Sequence, residues 1–205
     1  MVAAVRLLVV LIQSPGDSGH YLGIFLIVMV VSVAIVQGTT WVYAALKFAG
    51  LSKLQRLTEE SYCFVGRVAP EFNDGVSAIV RARGERPMPK GLANPLVTVD
   101  KKGVTFWKGT LKPSSVFHLP TTALEGFEIG TAREFGRDLP TIIAKVKVDG
   151  DEVLLAWGVQ TAGILGFRRE RGRALTQVIA SIDQAVGRHA ASQWGPSISK
   201  TRGDR

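Results

Sequence analysis

The stretch YLGIFLIVMVVSVAIVQGTTWVYAAL, Tyr21 to Leu46, contains no Asp, Glu, Lys, Arg or His. A bilayer core is crossed by about 20 apolar residues at a rise of about 1.5 Å each, so this segment is long enough to span. Tyr21 and Trp41 bracket it about 30 Å apart as a helix, and Tyr43 follows. Aromatic rings of this kind settle at the two membrane–water interfaces. A buried helix of a soluble protein is shorter and rarely stays free of charge for so long. A cleaved signal peptide has a shorter apolar region and a small-residue cleavage site after it.

Outward on the N-terminal side, Met1 to Ile12 is apolar but interrupted by Arg6 and too short to span. Ser14 to His20 (SPGDSGH) separates it from the main helix with turn residues. Three readings of residues 1–12 stay open: an interfacial segment, a start-codon extension, or no defined structure. On the C-terminal side, Lys47, Lys53, Arg56 and Arg67 face a single Arg6 across the span. The excess of basic residues predicts that the C-terminal part lies in the cytoplasm and the N-terminus outside. One unpaired cysteine, Cys63, agrees with a reducing compartment.

Within the span, Ala34 and Gly38 are four residues apart, with Gln37 beside them. Small residues at this spacing let helices approach closely, and a Gln amide can bond across a helix pair. These three are candidates for a helix–helix interface.

Beyond the span the pattern changes. Leu51 to Glu60 reads as a short amphipathic helix, and from about Ser61 short strand signals alternate with turn residues. Strands are expected at 62–68, 78–83, 96–100, 104–108, 115–119, 124–129, 141–148 and 153–159. Asp149-Gly150 is the strongest two-residue hairpin signal in the chain. Before it, Ile142, Ala144, Val146 and Val148 share one face, with Lys145 and Lys147 on the other. After it, Val153, Leu155 and Trp157 alternate again. One helix is expected to close the domain, because Leu175, Val178, Ile179, Ile182 and Val186 form an apolar stripe that Gly187 ends.

The composition narrows function. The 205 residues carry 25 Lys and Arg against 17 Asp and Glu, a net charge of +8, with 46% hydrophobic and 20% charged residues. This excludes a disordered chain, and a single cysteine excludes a disulfide scaffold or a cysteine zinc cluster. The three histidines (His20, His118, His189) are far apart. There is no phosphate-cradling Gly-Lys-Ser/Thr loop, no His-Glu-x-x-His and no Gly-x-Ser-x-Gly elbow. Asp149, Asp151 and Glu152 cluster at a hairpin tip without the further oxygens calcium requires. His118 is expected to face solvent or a core edge, and Cys63 to be a small core residue. No cofactor, metal or nucleic-acid partner is expected, since the basic residues are dispersed and not interleaved with aromatics.

Arg168, Arg169, Arg171 and Arg173 are the candidate site. They stand just before and within the first turn of the expected helix, where cations oppose the helix dipole by roughly 0.3–1 kcal/mol each. The preceding Gly163–Phe167 (GILGF) is apolar and loop-like. Two readings are open. An apolar tip beside an arginine cluster, tethered near an anionic leaflet, docks on lipid headgroups at about 1 kcal/mol per basic residue. Alternatively, Leu165 and Phe167 belong to the core and the arginines form a solvated face salt-bridged to Glu170. A second basic set, Arg81, Arg83, Arg86 and Lys90, lacks the Lys-x-Arg pattern of an inositide site. Arg202-Gly203-Asp204 lies on the predicted cytoplasmic side and carries no argument.

The segments YCFVGRV (62–68), LVTVDKKGVTFWKG (96–109), FHLPTTALEGFEIG (117–130) and LLAWGVQTAGILGFRRERG (154–172) resemble the bacterial PH-like domains of actinobacterial single-pass membrane proteins. Leu119-Pro120, Trp157 and Phe167-Arg168 carry the resemblance, which covers about Ser61 to Val186. The N-terminal extension and the basic tail depart from it. The resemblance implies one N-terminal transmembrane helix followed by a mainly-β PH-like domain, a bent antiparallel sheet or open barrel of about seven strands capped by a C-terminal helix. The expected divisions are an extension (1–20), a transmembrane helix (21–46), a helical linker (47–60), the PH-like domain (61–187) and a disordered basic tail (188–205). The function this supports is a non-enzymatic, membrane-anchored cytoplasmic binding or scaffolding module. Its partners would be the cell membrane itself, anionic lipid headgroups and a protein at the membrane. The alternative is an accessory subunit of a transport or export complex.

Overall fold

A computed structural model describes residues 18–58, 61–84, 92–134, 136–163 and 166–187. The chain begins with one long helix, α1 (Ser18–Leu57). Most of its apolar side chains from Leu22 to Val42 are exposed, and it is long and apolar enough to cross a membrane. The expected linker helix is the last turns of this same helix, without a break at Leu46. Of the N-terminal extension only its last three residues are described, and the basic tail lies outside the described residues, as do Arg86 and Lys90.

The remainder is an antiparallel sheet of eight strands: β1 (Tyr62–Val68), β2 (Leu96–Asp100), β3 (Gly103–Lys108), β4 (Ser114–Pro120), β5 (Leu124–Glu134), β6 (Arg137–Val148), β7 (Asp151–Gly163) and β8 (Gly166–Arg169). The order is β4-β3-β2-β1-β7-β6-β5, with β8 also paired to β7. Two helices pack on its inner face, α2 (Phe72–Ala82) against β7 and α3 (Arg173–Val186) against β1, β2 and β5. The expected layout of one apolar helix, a bent antiparallel sheet and a C-terminal helix is what is found.

The β6–β7 hairpin turns at Asp149 and Gly150, both at positive φ (51° and 96°), as a two-residue turn that matches the strand twist requires. Ile142, Ala144, Val146, Leu155 and Trp157 face the core, while Lys145 pairs with Glu128 on the outer face at 2.8 Å. Trp157 sits at the centre, edge-on to Phe72, Phe106 and Phe127 at 5.4–6.3 Å between ring centroids. The α3 stripe is buried as its periodicity predicts, and Gly187 ends the helix in the left-handed region. Each such large side chain, fully buried, contributes about 1.5–3 kcal/mol.

Two expectations are corrected. Residues 78–83 are not a strand: Ala78 to Ala82 form the second half of α2 and Arg83 caps it. The β-branched Ile79-Val80 and the alternating AIVRAR pattern mimic a strand. The governing signal starts upstream, where Phe72, Val76, Ile79 and Val80 recur at helical spacing and are all buried. The stretch Gly163–Phe167 is not simply a loop: Gly163 ends β7, and Gly166 and Phe167 open β8, which pairs with β7 from Gln160↔Arg169 to Gly163↔Gly166. Residues 164 and 165 lie outside the described set. Strands β5, β6 and β7 are also longer than their hydrophobic cores indicate.

Candidate functional site

The junction between α1 and the sheet is tightly built. Leu54 is buried with Val65 and Leu96, and Phe48, Leu51, Trp107 and Phe167 pack around them. Phe167 of β8 lies 5.9 Å from the rings of both Tyr43 and Phe48. Lys47, 3% exposed, donates to the Gly109 carbonyl at 2.7 Å. Gly50 touches the Thr110 backbone with no room for a side chain. A Cβ on Gly166 would lie 3.1 Å from Thr40 Cγ2. Contacts therefore run from Thr40 to Leu54, about 20 Å of helix. The β-rich head is held against the end of the apolar stretch instead of hanging from a flexible linker. Lys47 entered the sequence reading only through its charge and Gly50 not at all, because a helical Lys and Gly give no local sign of a distant partner.

The four arginines do not act as one cluster. Arg168, Arg171 and Arg173 are exposed. Arg169 is not: its side chain is 8% exposed, its Nη1 donates to Glu134 Oε1 at 2.8 Å and its Nε to the Pro140 carbonyl at 3.0 Å. The same carboxylate, 6% exposed, accepts from Arg67 Nε through Oε2 at 2.8 Å. Topology explains the arrangement. Pairing of β6 with β7 ends at Ile142↔Trp157, and β8 takes over the β7 edge from Gln160 onward. Pro140, which has no N–H to offer, stands where β6 leaves β7, and the Arg169 guanidinium fills the seam. A Cβ on Gly158 would come within 2.5 to 2.6 Å of that guanidinium, so glycine makes the space. Glu170 accepts from Thr161 Oγ1 at 2.7 Å instead of forming the salt-bridged face with the arginines.

In the apolar part of α1, a Cβ at Gly38 meets nothing within 4 Å, and Gln37 Nε2 has no hydrogen-bond partner. His118 is exposed, its Nδ1 2.8 Å from Thr105 Oγ1. Arg83 donates to the His118 carbonyl at 3.2 Å. Cys63 is buried, with Thr58 Oγ1 3.7 Å from its sulfur. Burial pushes its thiol pKa up, Thr58 works against this, and Asp100 adds to it. Tyr62 is raised by burial and then by Glu170. No group of three or more His, Cys, Asp or Glu among the described residues is placed to hold a metal ion.

Clefts indent the head. One, about 330 Å³, is lined by Arg67, Asn73, Leu92, Arg133 and Glu134. Another, about 510 Å³, lies between α1, α3 and the strands β1 and β7. No known protein-family model matches this chain, and no curated protein matches it.

Proposed function

We propose that the chain is a single-pass membrane protein, N-terminus outside, whose cytoplasmic PH-like head is a binding or scaffolding module and not an enzyme. What supports this reading is the docking of Phe167 on Tyr43 and Phe48, just where the apolar run meets its first charge, Lys47. Arg168, the next residue of β8, is exposed there. A basic side chain at the headgroup level of an anionic leaflet gains about 1 kcal/mol. With Arg169 committed to Glu134, the lipid-facing set reduces to Arg168, Arg171 and Arg173.

The test uses the full chain in nanodiscs, with an environment-sensitive dye at position 171 in a Cys63→Ala background. Anionic lipid should shift the dye spectrum relative to zwitterionic lipid. The shift should vanish at about 1 M salt, where screening shortens to about 3 Å, and in the Arg168→Ala/Arg173→Ala variant. Identical spectra in the two lipids would remove headgroup docking.

A second reading, an accessory subunit of a transport or export complex, is favoured by the unpartnered Gln37 amide and the open surface at Gly38. A polar amide within a span gains a partner on helix association. If a larger membrane protein copurifies with the chain, Gly38→Leu should release it, and retention would count against this interface.

A further inference from the structure

Strands β1 and β7 pair only from Val65↔Gln160 to Val68↔Trp157. Beyond that point they part. The first residues of β1 stay with β2, and the last residues of β7 stay with β8. Carrying the register on sets Cys63 opposite Ala162, yet no pairing forms there. Backbone N–H and C=O groups of a strand alternate between its two edges. Glu170 N–H donates to the Val159 carbonyl on the β8 side. Val159, Thr161 and Gly163 therefore turn their backbone groups to β8, and Gln160 and Ala162 turn theirs to β1. By the same alternation, Val65 and Cys63 turn theirs to β7. The backbone groups of Cys63 and Ala162 thus point across the opening.

That opening is the 510 Å³ cleft, walled by Phe48 and Leu51 on one side and by Gln177 of α3 on the other. Gln160 lines it; the residue is 6% exposed and its Oε1 has no hydrogen-bond partner. Among the described residues Glu170 is the one charged group in the lining, and it forms no ion pair with any of them.

We propose that this slot accepts an extended segment of a partner polypeptide, which adds as a strand to the free edges of β1 and β7. The inference rests on the reading of the head as a binding module and names the class of its ligand. An extended chain offers a donor and an acceptor at every second residue along each edge, which suits the parted backbones of Cys63 and Ala162. Phe48 and Leu51 on one wall and Ala174 and Val178, beside Gln177, on the other take alternate side chains of the segment. The Glu170 carboxylate, in a chain of net charge +8, selects a Lys or Arg beside it.

The experiment presents a displayed library of random peptides to the full chain in zwitterionic nanodiscs. The strongest binder is then synthesised as the probe for amide hydrogen exchange. Enriched sequences should alternate apolar residues and carry a basic one. The probe should slow exchange at Cys63 and Ala162. Ala162→Pro removes the N–H that faces the slot and none that β8 uses, and should weaken the probe about tenfold. Glu170→Gln should abolish the preference for the basic residue while leaving alternation intact.

Absence of any enriched peptide overturns the proposal. A probe that binds without slowing exchange at Cys63 and Ala162 overturns the slot but leaves the head a binding module. Faster exchange at both amides on truncation after Gly187 makes the chain's own tail the occupant and refutes a partner. Protection of both amides by anionic lipid alone makes the occupant a lipid, with the same consequence.

Discussion

Replacing Gly50 with alanine reverses an ordinary expectation. In an exposed helix interior, Gly→Ala stabilises by about 0.5–1 kcal/mol. At this position the new Cβ would overlap the Thr110 carbonyl oxygen and stand 2.8 Å from its carbon, where real Cβ atoms essentially never come within 3.0 Å. Backbone stands on both sides, so neither partner yields as a side-chain tip would. Helix and head must part by about 1 Å, and a gap of that size forfeits a quarter to a half of the dispersion attraction across it. The contacts weakened are those of Leu54, Leu51 and Phe48 with Val65, Leu96 and Trp107. The 2.7 Å bond from buried Lys47 to Gly109 stretches with them, and a poorly satisfied buried donor costs about 1–3 kcal/mol. We expect docking to weaken by about 2–4 kcal/mol in total. The assay is the distance distribution between spin labels at Lys53 and Lys147 in a Cys63→Ala background, in nanodiscs. The protein with Gly50 intact should give one narrow distribution and the Gly50→Ala variant a broad one. A narrow, unshifted distribution in the variant would refute the docked junction.

Glu134→Gln takes the carboxylate away from the Arg169 guanidinium, 8% exposed, and should cost about 3–5 kcal/mol in urea unfolding followed by circular dichroism. Glu128→Gln, at the exposed pair with Lys145, should leave the midpoint where it is, and equal losses in the two variants would contradict the seam. Gly150→Val forces a β-branched residue to a φ of 96° and should lower stability by about 1–3 kcal/mol, measured as a midpoint shift at constant m-value. Alkaline stability follows from Cys63 and Tyr62, which burial keeps protonated above their ordinary values of 9.0 and 10.0. The unfolded groups ionise first, so stability is full below pH 9.0 and falls as pH rises through the folded values. Cys63→Ala with Tyr62→Phe should flatten that decline, and an unchanged decline would assign it elsewhere.

What was legible in the sequence had a local cause. Freedom from charge over Tyr21–Leu46, the α3 stripe from Leu175 to Val186 and the Asp149-Gly150 turn are each written within a few residues of themselves. Misreadings arose where two local patterns competed. Ile79-Val80 carries strand propensity, but the burial of Val76 and Phe72, about one and two turns earlier, decides for helix. Strand β8 is four residues long and opens on a glycine, so it has too little alternation to announce itself. The fate of Arg169 depends on Glu134, 35 residues away, and that of Arg67 on the same carboxylate, 67 residues away. No spacing rule joins side chains across a sheet seam. The slot was invisible for the same reason: it comes from pairing that stops, which only the register reveals.

Location of the C-terminus tests the central claim most directly. Fusions after Arg205 to a reporter active only inside the cell and to one active only outside give opposite signals. If α1 crosses once and carries the head into the cytoplasm, the inside reporter is active in the membrane fraction and the outside reporter is silent. An active outside reporter, or an inside reporter found in the soluble fraction of intact protein, would contradict the account.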